Sequence, residues 1–460
     1  MTDATPPAPA SWPPTSPSSP VTAGRPAPVQ WPTEPPLGPP PAVVPAPWSN
    51  RRPREPEPPP PPPRGPGRTV AVIAILTVIA LAVASLVVVR IRDDDETSAP
   101  SDPSTTAAPP TTEDTGTTGS NFDAVIADIS AFVERERGLT FKAPVNVELA
   151  DDDEFTRRLF EDFDSQVDDL RNEDDVLTAL GLLDPDVDLV SELRSLLGGG
   201  VVGFYDPEAN ELVVRGTSTS PYVRETIAHE LTHALDDQYF ELDRPDVRDA
   251  DDESDFGFTA LAEGDAVRIQ NRYRDSMTAA DQVAALTEEA AITAGIDIFA
   301  IPSIVVDSVV APYQYGPDLI GAILDAGGQD ALDTAFGGPP TTSEQVFDPE
   351  HYLNRDERKD VAVPAGDGEV FDEGAVGAFG LTEMLDGVNS NATDQAVDGW
   401  GGDWYVAWHD GDRTCVRAVF AGDTAGDTTE IYDALRDWAD SQADASIELT
   451  ADAVLLDSCG

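Results

Sequence analysis

The chain has few basic residues. Among its 460 residues, 28 lysines and arginines stand against 86 aspartates and glutamates, which gives a formal net charge of −58. Nucleic-acid binding relies on basic side chains that neutralise phosphates, so this balance argues against a nucleic-acid partner. An acidic surface of this kind keeps a domain soluble and away from anionic lipid headgroups.

Cysteine is nearly absent as well. The two cysteines, Cys415 and Cys459, both lie near the C-terminus. Neither belongs to a CxxC motif or has a histidine at ligand spacing, which argues against a cysteine-ligated metal. We expect them to form a disulfide in an exported domain, tying the chain end to a strand around residues 416–420. Two reduced structural thiols are the alternative.

Long apolar runs are equally scarce, and only Thr69–Val89 is uncharged over a length that crosses a bilayer core. Arginines precede this run and acidic residues follow Arg92, so the positive-inside rule places the N-terminus in the cytoplasm. We expect a single-pass membrane helix, with a cleaved signal peptide as the alternative. The apolar stretch 298–311 is too short to span and contains Pro302 and Asp307, so we expect it to be buried core.

Composition divides the chain into four parts. Residues 1–68 are dominated by proline and predict a disordered or polyproline II cytoplasmic tail, which either docks a cytoplasmic partner or is solvated without one. The membrane helix, residues 69–89, is followed by a linker rich in Ser, Thr, Pro and acids at residues 90–120. Residues 121–460 have the apolar periodicity of an extracytoplasmic globular domain.

The periodicity of this domain predicts an α+β fold that is mostly helical, with a small β-hairpin and sheet. The predicted helices span residues 121–137, 152–170 and 428–442, and the predicted strands span residues 145–149, 200–205, 211–215, 403–409 and 413–420. His409 begins a turn that joins the last two strands.

The chain has only four histidines, and two of them occur in the motif His229-Glu230-Leu231-Thr232-His233. Positions i and i+4 of a helix project on one side, so both imidazoles can bind one metal ion. Glu230 is then placed to take a proton from a metal-bound water. Ser220 before Pro221 predicts the start of this helix. The alternative is two surface histidines on an ordinary amphipathic helix.

A catalytic zinc needs a third protein ligand. The extended metzincin pattern would place a glycine and a histidine where this chain has Asp236 and Tyr239, which argues against that class. Glu263 is the better candidate, because it lies in a segment of small and apolar residues, 259–266, that suits a buried helix. Together, His229, His233 and Glu263 would bind Zn²⁺.

These residues resemble a known family. HELTHALDDQ followed by ALAEGDA resembles a gluzincin-type zinc metallopeptidase, in which a glutamate on a second helix supplies the third ligand. The resemblance, to poorly characterised bacterial members with a zincin-like domain, extends over about residues 140–440 through the segments Gly203–Pro207, Pro312–Gly316, Pro339–Gln345 and Gly399–Asp403. Asp348 stands where such proteins carry a histidine, although His351 lies close by.

The motif and the resemblance imply hydrolysis of peptide bonds in a protein or peptide substrate, with Glu230 as general base. In related enzymes a distant tyrosine or histidine stabilises the oxyanion, and Tyr313, Tyr315 and His351 are the candidates here. The alternative function is a non-catalytic surface protein that keeps zinc and the fold for peptide binding or adhesion.

Two further roles follow from the pattern around the site. A ligating imidazole usually donates its second N–H to a carboxylate or carbonyl. The candidates are Asp237, one turn beyond His233, and Asp265, near Glu263. The predicted hairpin of residues 200–205 and 211–215 either pairs with an extended substrate or is purely structural.

Overall fold

The structure, a computed structural model, describes residues 118–248, 251–386, 388 and 390–460. The predicted tail and membrane helix lie outside these residues, as does most of the linker. Among the residues described, no helix is long and apolar enough to cross a membrane.

Helices dominate the first part of the described chain, with one small group of strands. In chain order the elements are α1 (Thr118–Arg137), β1 (Asn146–Ala150), α2 (Asp152–Phe163), α3 (Val167–Ala179), α4 (Leu189–Gly200), β2 (Gly203–Asp206), β3 (Glu211–Arg215), α5 (Pro221–Phe240), α6 (Pro245–Arg248), α7 (Asp252–Ser276), α8 (Ala279–Thr293) and α9 (Ser303–Gly327).

The remaining elements lead into a second group of strands. They are α10 (Gln329–Gly337), α11 (Glu344–Phe347), α12 (Pro349–Asn354), β4 (Val370–Gly374), α13 (Gly377–Met384), α14 (Ser390–Asp398), β5 (Trp400–Asp410), β6 (Arg413–Gly422), α15 (Ala425–Ala439), β7 (Ala445–Leu449) and β8 (Val454–Cys459).

The strands form two sheets. The first has the order β1-β3-β2, in which β1 runs parallel and β2 antiparallel to β3. The second has the order β4-β5-β6-β8-β7 and is antiparallel throughout. The α+β prediction is therefore confirmed, and the predicted hairpin of residues 200–215 is the β2–β3 pair.

The central helices are α5 and α7. Ser220 caps α5 by accepting a hydrogen bond from the Val223 N–H, and Pro221 occupies its first turn, as predicted. Asp251 caps α7 through the Ser254 N–H. Nearly every residue in the middle of both helices is buried, because helices and strands cover them on all sides.

Glycine allows α9 to lie directly against α7. A Cβ at Gly264 of α7 would stand 2.4 Å from the carbonyl of Gly316 in α9, and a Cβ at Gly316 would stand 2.3 Å from the Ala260 oxygen. Only residues without a side chain permit this backbone contact. The two helices are consequently in direct backbone contact at this point.

The C-terminal sheet has its own apolar core, around Trp400 and Phe420, which α3 helps to cover. Cys415 and Cys459 lie opposite each other in β6 and β8 and form the predicted disulfide. The stretch 298–311, predicted to be buried core, is buried where it enters α9, as at Ile304, but Phe299 before the helix is 70 % exposed, so the prediction is wrong for the start of the stretch.

Two predicted helices have different limits in the structure. A 3-10 turn at Asp164–Gln166 divides the predicted helix of residues 152–170 into α2 and α3. The predicted helix of residues 428–442 begins at Ala425, because Thr424 and Asp427 form a reciprocal capping box there.

Glu253 joins α7 to the C-terminal part of the chain. Its buried carboxylate accepts hydrogen bonds of 2.8 and 2.9 Å from the N–H and hydroxyl of Ser343. Burial raises the pKa of Glu253 to about 8 against the opposing effect of the Ser343 donors, and the charges of Asp403 and Asp251 add to the rise.

We predict that the free energy of unfolding falls less steeply with rising pH in Glu253→Gln than in the parent chain. The unfolded chain ionises this carboxyl from about pH 4.5, whereas the folded chain holds its proton to about pH 8. The folded state therefore binds more protons in this window, and stability declines as pH rises through it. Urea unfolding should show a shallower decline in the variant, by a few kcal/mol at most, since one pKa unit corresponds to about 1.4 kcal/mol.

Glu357→Gln, at an exposed glutamate, is the matched control and should leave the slope unchanged. If the free energy of unfolding falls equally steeply with pH in Glu253→Gln and in the parent chain, Glu253 is not the cause of this pH dependence.

Candidate metal centre

Helix α5 presents both histidines of the HExxH motif to one point. The Nε2 atoms of His229 and His233 are 3.0 Å apart, and both rings are buried. The i, i+4 spacing brings them together, as the sequence predicted.

Helix α7 brings Glu263 to the same point from thirty residues further along. Its Oε2 lies 3.1 Å from the Nε2 of His229 and 3.3 Å from the Nε2 of His233. One ligand atom from each residue lies within 4.8 Å of the others, so the three could hold a metal ion.

The geometry of these three residues fits a tetrahedral metal ion. Ligands at about 2.0–2.1 Å from zinc stand roughly 3.3 Å from one another. The three separations between the ligand atoms, 3.0, 3.1 and 3.3 Å, approach that value. Two imidazole nitrogens and one carboxylate are also a donor set that suits zinc.

The charges within the cluster are strongly coupled. Burial lowers the pKa of His229, whereas the carboxylate of Glu263 outweighs the same effect of burial at His233 and raises its pKa to about 9. Burial opposes ionisation of Glu263 too, but the two imidazoles lower its pKa to about 2. Metal binding must displace the proton that the raised pKa of His233 holds, since a ligating imidazole is neutral.

Glu230 is fully buried beside the histidines. Strand β2 passes over it, because a Cβ at Gly203 would stand only 2.9 Å from Thr226 and 3.5 Å from the Glu230 Cγ. The carboxylate also acts electrostatically on His233. Glu230 therefore lies close to β2 and to the candidate ligands, and it is not one of the three residues that could hold a metal ion.

Gln270 is a partner of His229 that the sequence analysis missed. Its Oε1 lies 2.8 Å from the Nδ1 of His229, and its side chain is buried. An amide oxygen only accepts, so Nδ1 carries the proton and Nε2 presents its lone pair to the cluster. Gln270 follows Glu263 by seven residues, two helical turns, and this spacing is the signal that could have identified it.

A buried arginine connects α1 to the site. The Nε of Arg137 lies 2.7 Å from an oxygen of Asp236 and 2.7 Å from an oxygen of Asp265, and its guanidinium also contacts Asp333. Burial and the charge of Asp265 raise the pKa of Asp236 to about 7, against the lowering effect of Arg137. No local pattern near Arg137 indicated this role, because its partners lie about a hundred residues or more away in sequence.

Asp237 and Asp265, the two acids predicted to accept a hydrogen bond from the ligating histidines, have other partners in the structure. Asp237 accepts hydrogen bonds from the Tyr205 hydroxyl at 2.9 Å and the Leu242 N–H at 2.9 Å. Asp265 pairs with Arg137 and Arg268. Within the described chain neither acid contacts a histidine ring, so the prediction that they orient the ligands is corrected in favour of Gln270.

Of the three oxyanion candidates, only Tyr313 lies against a candidate ligand. Its ring is nearly parallel to that of His229, with centroids 6.2 Å apart. Tyr315 packs on Phe347 at a ring separation of 4.7 Å. His351 lies among acids of its own segment, the nearest being Asp356 at 3.3 Å. These contacts give Tyr315 and His351 no place at the cluster.

The predicted hairpin forms, but β2 is not an open edge. Gly203, Phe204 and Tyr205 are all buried, although β2 is the last strand of its sheet. This burial favours a structural role for the hairpin over pairing with a substrate.

Three of the four segments that carry the family resemblance contact α5 or α7. Besides β2 and Gly316, Ser343 of the third segment binds Glu253 near the start of α7. Asp403 of the fourth accepts from the N–H groups of Val376 and Gly377 and from the Trp400 indole. The roles of these segments are thus to position the two helices and the sheet beside them.

Comparison with known proteins adds one partial match. A family described as a domain of unknown function (DUF8575) matches residues 367–457, the stretch from just before β4 to the last residues of β8. No curated protein and no solved structure matches the chain. The match leaves out α5 and α7, so it bears on the C-terminal sheet and not on the candidate metal centre.

We predict that Gln270→Leu weakens metal binding. Without the Oε1 acceptor, nothing fixes the tautomer of the His229 ring. Removing a residue that hydrogen-bonds to a metal ligand typically lowers the metal affinity by about 10- to 100-fold. Gln270→Glu keeps an acceptor at the same place and should retain the affinity. Competition with a chromogenic chelator measures both, and thermal unfolding of the metal-free proteins checks the fold. A Gln270→Leu protein that binds as tightly as the parent would rule out this role.

Proposed function

We propose that the chain is a membrane-anchored, zinc-dependent metallopeptidase with a zincin-like catalytic domain. The observation that carries the proposal is the convergence of His229, His233 and Glu263 beside Glu230. Three protein ligands leave one tetrahedral position for water, as catalytic zinc sites do, whereas structural sites generally use four.

The anchor in this proposal is the apolar run of residues 69–89, which places the domain outside the cytoplasm. The disulfide between Cys415 and Cys459 supports that location, because disulfides persist in oxidising compartments. Both features also suit the alternative function, so they bear on location and not on catalysis.

A zinc ion held by the three ligands would supply Lewis acidity, polarising a peptide carbonyl and lowering the pKa of a bound water. Glu230 then accepts a proton from the attacking water and returns it to the departing amine. Its neighbours on β2 and α5 exclude bulk water, which strengthens these electrostatic effects. Tyr313, packed against His229, is the candidate donor to the oxyanion.

The alternative is a non-catalytic zinc protein that binds peptides or mediates adhesion. Burial favours this reading, since Glu230 and Glu263 have no exposed surface and His233 has only 3 %. A peptidase must admit its substrate to the metal, so the proposed function requires that the surroundings of Glu230 open. The carboxylate of Glu230 beside the three candidate ligands favours the enzyme, because it is the group that a zinc peptidase uses as general base.

We predict that Glu230→Gln abolishes hydrolysis but leaves zinc bound. Removing a general base typically costs about 10²–10⁴-fold in rate. The zinc-loaded full chain is incubated with a diverse peptide library, and new termini are counted by mass spectrometry. Glu241→Gln, an exposed glutamate just after α5, is the matched control and should cleave as the parent does.

Zinc content is measured in the same samples. Zinc in all three proteins without cleavage by any of them would support the alternative function. Equal cleavage by the parent chain and Glu230→Gln would contradict the proposed role of Glu230.

A further inference from the structure

The two histidines of α5 differ in the partner of their second ring nitrogen. The Nδ1 of His229 lies 2.8 Å from the amide oxygen of Gln270. The Nε2 of His233 faces the cluster, 3.3 Å from the Oε2 of Glu263. Its Nδ1 is buried and has no hydrogen-bond partner among the residues that the structure describes. Gln270 therefore orients one ring, and the other has no equivalent partner.

The Nδ1 of His233 needs an acceptor once a metal is bound. A metal on Nε2 leaves the hydrogen of a neutral imidazole on Nδ1. A buried N–H without an acceptor loses its bonds to water and gains none in return, so buried donors are nearly always paired. His233 therefore requires a buried acceptor close to its own turn of α5.

Asp236 has the buried oxygen that fits this requirement. Its side chain is 1 % exposed and lies three residues after His233, and residues at this spacing on a helix are neighbours. Its Oδ1 accepts from the Nε of Arg137 at 2.7 Å, whereas its Oδ2 has no hydrogen-bond partner in the described part of the chain. Asp236 and His233 also interact electrostatically. One side chain thus has a spare donor and the other a spare acceptor, within about one helical turn.

The other acids around the cluster fit less well. The Oδ2 of Asp265 lies 2.7 Å from the Nε of Arg137 and is paired there. The second oxygen of Glu263 belongs to a carboxylate that already faces the Nε2 atom of His233. Glu230 is the general base of the proposed function. Asp236 is the acid among them whose free oxygen has no other role.

We propose that Asp236 positions the ring of His233 in the metal-bound protein, by accepting a hydrogen bond from Nδ1–H to Oδ2. Arg137 holds the other oxygen of the carboxylate. The Nε2 atoms of His229 and His233 are 3.0 Å apart, against roughly 3.3 Å for two ligands of a tetrahedral zinc, so metal binding requires a small shift of the rings. The broad terminal torsions of His and Asp permit that shift. The inference rests on the metal centre of the proposed function and not on its catalytic step.

Two substitutions of Asp236 test this role. Asp236→Ala removes the acceptor, whereas Asp236→Asn keeps a carbonyl oxygen at the same place. Competition with a chromogenic chelator should show a loss of zinc affinity of about 10- to 100-fold in Asp236→Ala and little change in Asp236→Asn. If Asp236 served only as the ion-pair partner of Arg137, both substitutions would remove the pair and lower the affinity alike. Equal losses in the two variants would therefore overturn the proposal.

Asp237→Ala is the matched control. Asp237 is the neighbouring acid on α5 and also accepts two hydrogen bonds, from Tyr205 and Leu242. This variant should bind zinc as the parent chain does. Thermal unfolding of the metal-free proteins checks the fold. If Asp236→Ala does not fold, Asp236→Leu replaces it, because an apolar residue of similar volume fills the same space without an acceptor.

Cobalt gives a second measurement, at the proton itself. Co²⁺ binds the same nitrogen and oxygen ligands as zinc, and its unpaired electrons shift the N–H proton of a bound imidazole far outside the ordinary proton NMR spectrum. We expect two such exchangeable signals from the cobalt-loaded full chain, one each from His229 and His233. Asp236→Ala should move or abolish one signal, and Gln270→Leu the other. Asp237→Ala should leave both in place.

Three results would contradict the proposal. In the first, Asp236→Ala binds zinc as tightly as the parent chain and keeps both signals. In the second, Asp236→Ala and Gln270→Leu change the same signal. In the third, a signal responds to Glu230→Gln but not to Asp236→Ala, which would make Glu230 the acceptor. A parent chain that binds neither metal would instead contradict the metal centre itself, and this proposal with it.

Discussion

The structure depends on burying two imidazoles and a carboxylate at one point, with their donor atoms 3.0 to 3.3 Å apart. Buried charges are tolerated only when they are paired and hydrogen-bonded. The packing of α5 against α7 provides this pairing, because it brings Glu263 next to His229 and His233. Next to the ligands, Arg137 offsets two further buried acids, Asp236 and Asp265.

Sequence alone predicted the features that depend on local spacing. The i, i+4 pair of His229 and His233 and the cap at Ser220 follow from helical geometry. The cysteine pair followed from there being only two cysteines, and Glu263 followed from its segment of small and apolar residues and from the family resemblance. The contacts of Arg137 could not be predicted, because they depend on how α1 packs against α5. Gln270 could have been identified from its spacing of two helical turns after Glu263, but its contact with His229 also depends on how α7 packs against α5.

The prediction for Asp237 failed for a physical reason. A residue one turn beyond His233 lies on the same side of α5 but is drawn to the Tyr205 hydroxyl on the neighbouring strand. Acids are so numerous in this chain that proximity in sequence carries little information. The family-like segments had no assignable chemistry in sequence, and the structure gives them positioning roles, as the contact of Gly264 with Gly316 illustrates.

The central claim is that His229, His233 and Glu263 hold one zinc ion. The most direct test is elemental analysis of the purified full chain, alongside Glu263→Gln and the exposed-residue control Glu357→Gln, after equilibration with zinc and removal of excess metal. The account predicts about one zinc per chain in the parent and the control, and a large loss in Glu263→Gln, whose amide is a poor ligand. No zinc in the parent, or equal zinc in all three proteins, would contradict it.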